Sequence, residues 1–423
     1  MKVIIAGGGF AGLQLAKRLN NKDGIEVLLI DQYNFHQFQP LFYQVATAGL
    51  DASNISFPLR KVFQDSKNVH IRLTDVKEVK TAENILVTGI EEFKYDVLVI
   101  ATGANTNFFN NANLAAKAFP MKSTIEALQL KYHIIKNLEE ALELKDEAAL
   151  RQKLSVVVAG GGPTGVELSG AIAEMRNHIL PKDYPEIDFK LMDIYLVEGS
   201  PRTLASMSER SSEQSQKYLE KMGVKVRTEM HVKDYDGDKV MLQNGDNIPT
   251  KTVIWAAGIK GNVPKGIDND LIVRGNRIKT NRLSQVQGFQ NIYALGDVAY
   301  METPKYPHGH PQVANVAVNQ AKNLATNLIR QVNGNKHYQD EFEYHDKGSL
   351  ATVGRNKAVV DIPKPHIHLG GFLAWLMWML VHLVLILGVK NRLQIFVNWV
   401  YKYFTYDQSL RLLFKDFYEK PKN

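Results

Sequence analysis
The sequence predicts an α/β protein: two doubly wound dinucleotide-binding domains, one nested within the other, followed by a C-terminal helical module that anchors to a membrane. Three observations carry that prediction. A strand–glycine turn–helix–strand unit opens the chain, the same unit returns from Ser155, and the composition turns strongly apolar after Gly370. A chain of 423 residues, 45% hydrophobic and 22% charged, has globular composition and room for about three domains.

The elements follow in order. Val3–Ala6 is an apolar run ending in Gly7-Gly8-Gly9-Phe10-Ala11-Gly12. Leu13, Leu15, Ala16 and Leu19 then repeat at helical spacing, and the strand Glu26–Ile30 is closed by Asp31 and Gln32. Such a unit begins a parallel sheet. The second copy is the strand Ser155–Ala159, the turn Gly160-Gly161-Gly162-Pro163-Thr164-Gly165, a helix from near Val166, and the strand Ile194–Val197 closed by Glu198. Between them, Val69–Leu73 and Ile85–Val87 read as strands. Tyr95–Ile100 is a buried strand ending at Ala101-Thr102-Gly103. Its counterpart, Thr252–Ala256, ends at Ala257-Gly258, and a later strand ends at Gly296-Asp297. A helix rich in small residues begins near Gln312 and runs through Ala321.

A tight turn from strand to helix, free of side chains, lets a pyrophosphate reach the helix N-terminus, where free N–H groups and the dipole favour negative charge. Gly7, Gly9 and Gly12 have that spacing, as do Gly160, Gly162 and Gly165. An acid closing the next strand can accept hydrogen bonds from a ribose diol. Asp31 lies 19 residues past Gly12; Glu198 lies 33 past Gly165, a distance that fits an insertion over Asn177–Phe189. The N-terminal loop, paired with the late Gly296-Asp297 element, points to a flavin dinucleotide, and the second loop to a pyridine nucleotide. Glu198 would repel a 2′-phosphate and so favours NADH, although Arg202 stands nearby. The expected domains are 1–115 and 280–350 for FAD, 116–279 for NADH and 351–423 for membrane attachment.

The chain has no cysteine. That excludes disulfides, thiolate metal sites and redox-active Cys-x-x-Cys chemistry, so redox work must run through a bound cofactor. The charge of +7 is mild, and no basic patch interleaved with aromatics points to nucleic acid. Met1-Lys2 leads directly into a strand, so no cleavable leader is expected. His36, His308, His310, His366 and His368 form no metal pattern. In the tail, Phe372–Val389 is apolar except for His382, and Leu393, Phe396, Val397, Val400 and Phe404 form a helical stripe. From Lys390 onward there are seven Lys or Arg against three Asp or Glu, and three of the four Trp fall in the tail. Three readings stand for it: a transmembrane span, a buried helix, or an interfacial anchor.

The glycine loops with Thr102-Gly103, Ala257-Gly258 and Gly296-Asp297 resemble the two-dinucleotide-binding-domain flavoproteins, a glutathione-reductase-like, Rossmann-like architecture. Disulfide reductases and sulfide:quinone oxidoreductases use cysteines, which this chain lacks. Phe38–Thr47, Gly165-Val166-Glu167-Leu168-Ser169-Gly170, Lys347–Gly354 and the basic apolar tail resemble type II NADH:quinone oxidoreductases over nearly the whole chain. That resemblance implies FAD contacts at Gly7, Gly8, Gly9, Phe10, Ala11, Gly12, Asp31, Gln32, Val76, Ala101, Thr102, Gly103, Gly296, Asp297, Ala314 and Asn315. It implies NADH contacts at Gly160, Gly162, Pro163, Thr164, Gly165, Glu198, Ala257 and Gly258.

For the quinone it implies Gln44, Asn315, Asn319, Gln320 and Lys347, with Glu167 and Lys347 as catalytic groups and no metal. Where the family has Ala-Gln-x-Ala-x-Gln-Gln, this chain has Ala314-Asn315-Val316-Ala317-Val318-Asn319-Gln320, two amides shorter by a methylene. The expected function is non-proton-pumping transfer of a hydride from NADH to non-covalent FAD and of two electrons to ubiquinone or menaquinone. The expected protein is a homodimer lying peripherally on the cytoplasmic face of a bacterial inner membrane. The alternatives are a soluble NADH-dependent flavin reductase or NADH oxidase, and a nucleotide-sensing flavoprotein.

Overall fold
The computed structural model describes residues 1–334, 339–407 and 410–413. The chain forms two compact units. One comprises Met1–Gln37, Ser56–Asn105 and Ile259–Asp346; the other comprises Phe38–Ile55, Thr106–Gly258 and Lys347–Asn423.

The first unit is built on a five-stranded sheet in the order Ile292–Ala294, Val97–Ile100, Lys2–Ala6, Glu26–Asp31, Val69–Leu73. Every pair is parallel, with Val3 opposite both Val27 and Val97. The strand Val97–Ile100 reads as an unbroken apolar run because all four residues are buried, as expected of a parallel sheet covered on both faces. Lys2–Ala6 sits at the centre, where connections leave to either side. This switch point is where such sheets receive ligands.

The second unit repeats the plan in the order Phe119–Pro120, Thr252–Trp255, Val156–Ala159, Ile194–Val197, Val224–Arg227, again all parallel. The expected insertion before the second strand is a π-helical turn at Met175–Ile179, a short helix at Leu180–Asp183 and a 3₁₀ turn at Phe189–Leu191.

Several boundaries differ from the expected ones: residues 38–55 and 106–115, expected in the FAD domain, belong to the second unit. The stretch 259–279 belongs to the first unit rather than with the NADH loop, because Arg277–Thr280 pairs in parallel with Ala299–Met301. The C-terminal segment is not separate either: from Lys347 it joins the second unit. The reason is a close backbone approach. A Cβ on Gly170 of the helix Pro163–Glu174 would lie 1.7 Å from the Val353 carbonyl oxygen of the strand Ser349–Gly354. That strand, Lys357–Pro363 and His366–Gly370 form an antiparallel sheet.

The tail ends in two helices, Phe372–Leu385 and Val389–Thr405. The apolar run does not continue unbroken to Val389. Gly388 takes φ +79°, and Arg392 caps the first helix by donating from Nε to the Ile386 carbonyl (2.7 Å) and from Nη2 to that of Val384 (2.9 Å). Among the described residues no helix is long and apolar enough to cross a membrane, which removes the transmembrane reading. His382 stacks on Trp378 at 4.1 Å, and burial pulls it down to about 4, so the one polar member of the run is neutral.

Candidate active site
The two glycine loops are built on the same plan. Gly7 and Gly160 take φ of +112° and +106°, and a Cβ there would stand 2.3 Å from the Ala101 oxygen or 2.6 Å from that of Ala256. A Cβ on Gly12 or Gly165 would fall 1.8 Å from the Gly7 or Gly160 oxygen. These four glycines are steric necessities. Gly9 and Gly162 are different: a Cβ on either meets nothing within 4 Å, and each begins its helix without a side-chain cap. The open space before two uncapped helix N-termini suits the pyrophosphates of a flavin dinucleotide and of NADH. Pro163 occupies the first turn of the second helix, with Thr164 exposed beside it.

The acids also correspond. Asp31 accepts from the Gly8 N–H at 2.6 Å and the Tyr33 N–H at 2.7 Å. Glu198 accepts from the Gly161 N–H, and from the N–H and Oγ of Ser200 at 2.7 and 2.6 Å. Each acid thus clasps the middle glycine of its own loop before any ribose arrives, and a carboxylate retains lone pairs for a diol. Burial raises Asp31 despite these bonds. Arg202 is drawn aside to Glu209 at 3.7 Å.

The remaining flavin-side residues gather in the first unit. Gly7, Asp31, Gln32, Val76 and Thr102 line an open cavity of about 670 Å³. Phe10 sets its ring edge-on to the buried His36, whose Nδ1 lies 3.1 Å from the Gly8 oxygen. Thr102 donates to the Asn262 carbonyl at 2.6 Å, and Gly103 accepts from the Asn262 N–H. Gly296 has φ +71°, and a Cβ on it would press within 3.5 Å of Ala11 and Ala317, which explains the small residues there. Its N–H donates to Gln320 at 2.8 Å, and the Asp297 carbonyl accepts from Gln312. Gln320, expected at the quinone, is buried and spends its oxygen on this turn.

The helix bearing these residues runs Ala314–Val332. On it Asn319 donates to both the carbonyl and Oδ1 of Asn315, which donates to Tyr344 at 3.1 Å, so the two shortened amides hold each other. In the second unit Ala257 precedes Gly258, whose oxygen accepts from the Asn107 N–H at 3.0 Å. Lys347 is exposed, just before Gly348 at φ +110°.

Glu167 lies beyond the first turn of its helix and does not cap it. Its Oε1 accepts from the Thr352 N–H at 3.3 Å and from the indole N–H of Trp378 at 3.1 Å. Burial pushes this carboxyl up to about 8, against the lowering effect of both bonds. It lines a cavity of about 630 Å³ within the second unit, together with Tyr43, Gln44, Glu174, Trp399 and Lys402. Gln44 accepts from the Trp399 indole at 2.8 Å and donates to the Tyr43 hydroxyl at 2.8 Å. Lys402, half-buried in the last helix, faces Glu174 at 3.9 Å, and Arg355 is sandwiched between Tyr403 and Tyr406.

Sequence reasoning named Glu167 and Gln44 here but missed Tyr43, Trp378, Trp399 and Lys402. The available signal was the concentration of tryptophan in the apolar tail, since a buried indole needs an acceptor.

A family model described as pyridine nucleotide-disulphide oxidoreductase matches residues 1–321, and one described as the NDH2 C-terminal domain matches residues 346–406. A type II NADH:quinone oxidoreductase of Mycobacterium tuberculosis is 32% identical over 415 residues, covering 94% of this chain and 87% of the relative. One from Staphylococcus aureus is 28% identical, covering 85% and 89%. Among solved structures, NDH2 of Plasmodium falciparum in complex with NADH superposes with TM-score 0.88 at 21% identity, covering 98% of this chain and 99% of that one. A sulfide:quinone oxidoreductase of Aquifex aeolicus superposes with TM-score 0.73 at 20% identity, over 95% of each chain. With two intact glycine loops, a tail joined to the NADH-loop unit and a cysteine-free sequence, the chain belongs to the type II NADH:quinone oxidoreductases.

Proposed function
We propose that the N-terminal loop holds FAD non-covalently, that the second loop holds NADH, and that the quinone head group enters the cavity beside Glu167. The chain is a flavoprotein that reduces quinone with NADH without pumping protons: NADH + H⁺ + quinone gives NAD⁺ + quinol. A bound flavin supplies the exchange between hydride and electron-pair chemistry. The chain's own residues bind, orient and manage one proton.

The observation that carries the quinone assignment is Glu167. A buried carboxyl raised to about 8 is protonated at neutral pH and can give up the one proton the reaction consumes. The cavity around it has aromatic walls suited to a planar ring. Its roof helices expose leucine, valine and phenylalanine outward: Val384 is 68% and Phe404 77% exposed. That apolar face fits a lipid surface and an isoprenoid tail, with the tail's Lys and Arg toward anionic head groups. A homodimer on the cytoplasmic face of a bacterial membrane completes the reading.

Met379 also lines the cavity and is half-buried, so a larger side chain there should fill it without unfolding the chain. Met379→Trp is expected to abolish NADH:quinone turnover while leaving NADH:ferricyanide turnover intact. Undiminished quinone turnover would contradict the assignment.

A further inference from the structure
Gln44 was expected to touch the quinone, yet both ends of its amide are engaged inside the protein. Its oxygen accepts from the Trp399 indole, which can only donate, so its nitrogen is fixed facing Tyr43. That N–H donates to the Tyr43 hydroxyl at 2.8 Å. A phenol oxygen that accepts must aim its own proton elsewhere, and that proton has no acceptor among the described residues. Tyr43 is a wall of the same cavity as Glu167.

We propose that Tyr43 is the group that donates a hydrogen bond to a quinone carbonyl, and that Trp399 of the last tail helix, acting through Gln44, sets it in that role. The inference rests on the reading that the cavity holds the quinone head group. The chain of donors runs Trp399 N–H to Gln44 oxygen, Gln44 N–H to Tyr43 oxygen, and Tyr43 O–H to the carbonyl. No bond to hydrogen breaks at Tyr43. Burial holds this phenol well above its ordinary value, so it stays protonated and polarises the carbonyl while Glu167 supplies the proton. The tail is thereby part of the quinone site as well as an anchor. Trp399 and Gln44 are positioning residues, and Tyr43 is the one that touches substrate.

The test uses the full-length, flavin-loaded protein in detergent with a one-isoprene ubiquinone, and ferricyanide turnover as the control for folding and NADH oxidation. Tyr43→Phe is expected to raise the quinone KM about tenfold, the effect of one lost hydrogen bond, with ferricyanide turnover unchanged. Gln44→Glu keeps the hydroxyl but offers it a carboxylate, which turns the Tyr43 proton away from the cavity. It should raise KM to the same extent, and the double variant should show no further loss. Trp399→Phe should move KM in the same direction by a smaller factor. If Met379→Trp blocks quinone turnover while Tyr43→Phe keeps the parental KM, the role of Tyr43 is overturned and the cavity assignment stands. If the two single changes add in the double variant, the orienting role of Gln44 is overturned. If Met379→Trp leaves quinone turnover intact, the cavity assignment fails, and this inference with it.

Discussion

Glu167 shows what a residue's surroundings add to its identity. The motif Gly165-Val166-Glu167 marks the position, but the acid's behaviour comes from burial against Thr352 and Trp378, both far along the chain. Two consequences follow from a carboxyl raised to about 8. Quinone turnover should fall as pH rises through about 8, and Glu167→Gln should lower turnover by about a hundredfold or more while erasing that ionisation. The second consequence concerns stability. A carboxyl that binds its proton more tightly folded than unfolded contributes stability below its ordinary value near 4.5, and that contribution is lost as pH climbs through about 8. Glu167→Gln should therefore raise the melting temperature relative to the parent most at pH 9 and least at pH 5, measured by thermal scans across that range. A constant offset would refute the buried, protonated state. Nothing local in the sequence announces this shift, because the indole that helps hold Glu167 belongs to a tail helix.

The elements most legible in the sequence are those whose geometry is dictated by contacts a few residues away. Glycine spacing located both loops, because a Cβ at Gly12 or Gly165 would strike an oxygen five residues back. The same spacing conceals a difference in kind that only the structure reveals. Gly12→Ala and Gly165→Ala should cost about 3 kcal/mol each, seen as a lower denaturant midpoint. Gly9→Ala and Gly162→Ala have open space and should fold normally, losing flavin retention and NADH affinity respectively. A fully destabilised Gly9→Ala would contradict the assignment of that space to a ligand. Less legible was the end of the apolar tail helix. Hydrophobic periodicity runs through Val389, whereas the break depends on Arg392 reaching back to two carbonyls and on Gly388 turning left-handed.

The whole molecule divides in a way that strand patterns alone could not disclose. Each sheet draws strands from distant segments, and the last segment joins the unit that carries the NADH loop because Gly170 admits the backbone of Val353. The tail leaves Leu393, Phe396, Val397 and Phe404 exposed on one helix. Each buried in an interface is worth ~1.5 kcal/mol or more, about tenfold in partitioning. Leu393→Glu with Phe404→Glu should thus release the protein from anionic vesicles in a flotation assay while sparing ferricyanide turnover. The most direct measurement of the account is an anaerobic two-step mixing experiment on the purified flavoprotein. NADH should bleach the flavin's visible absorbance band, and a short-chain quinone added next should restore it, with the restoring step slowed at least tenfold in Glu167→Gln and Met379→Trp. Bleaching followed by recovery at the parental rate in both variants would contradict the claim that quinone is reduced beside Glu167.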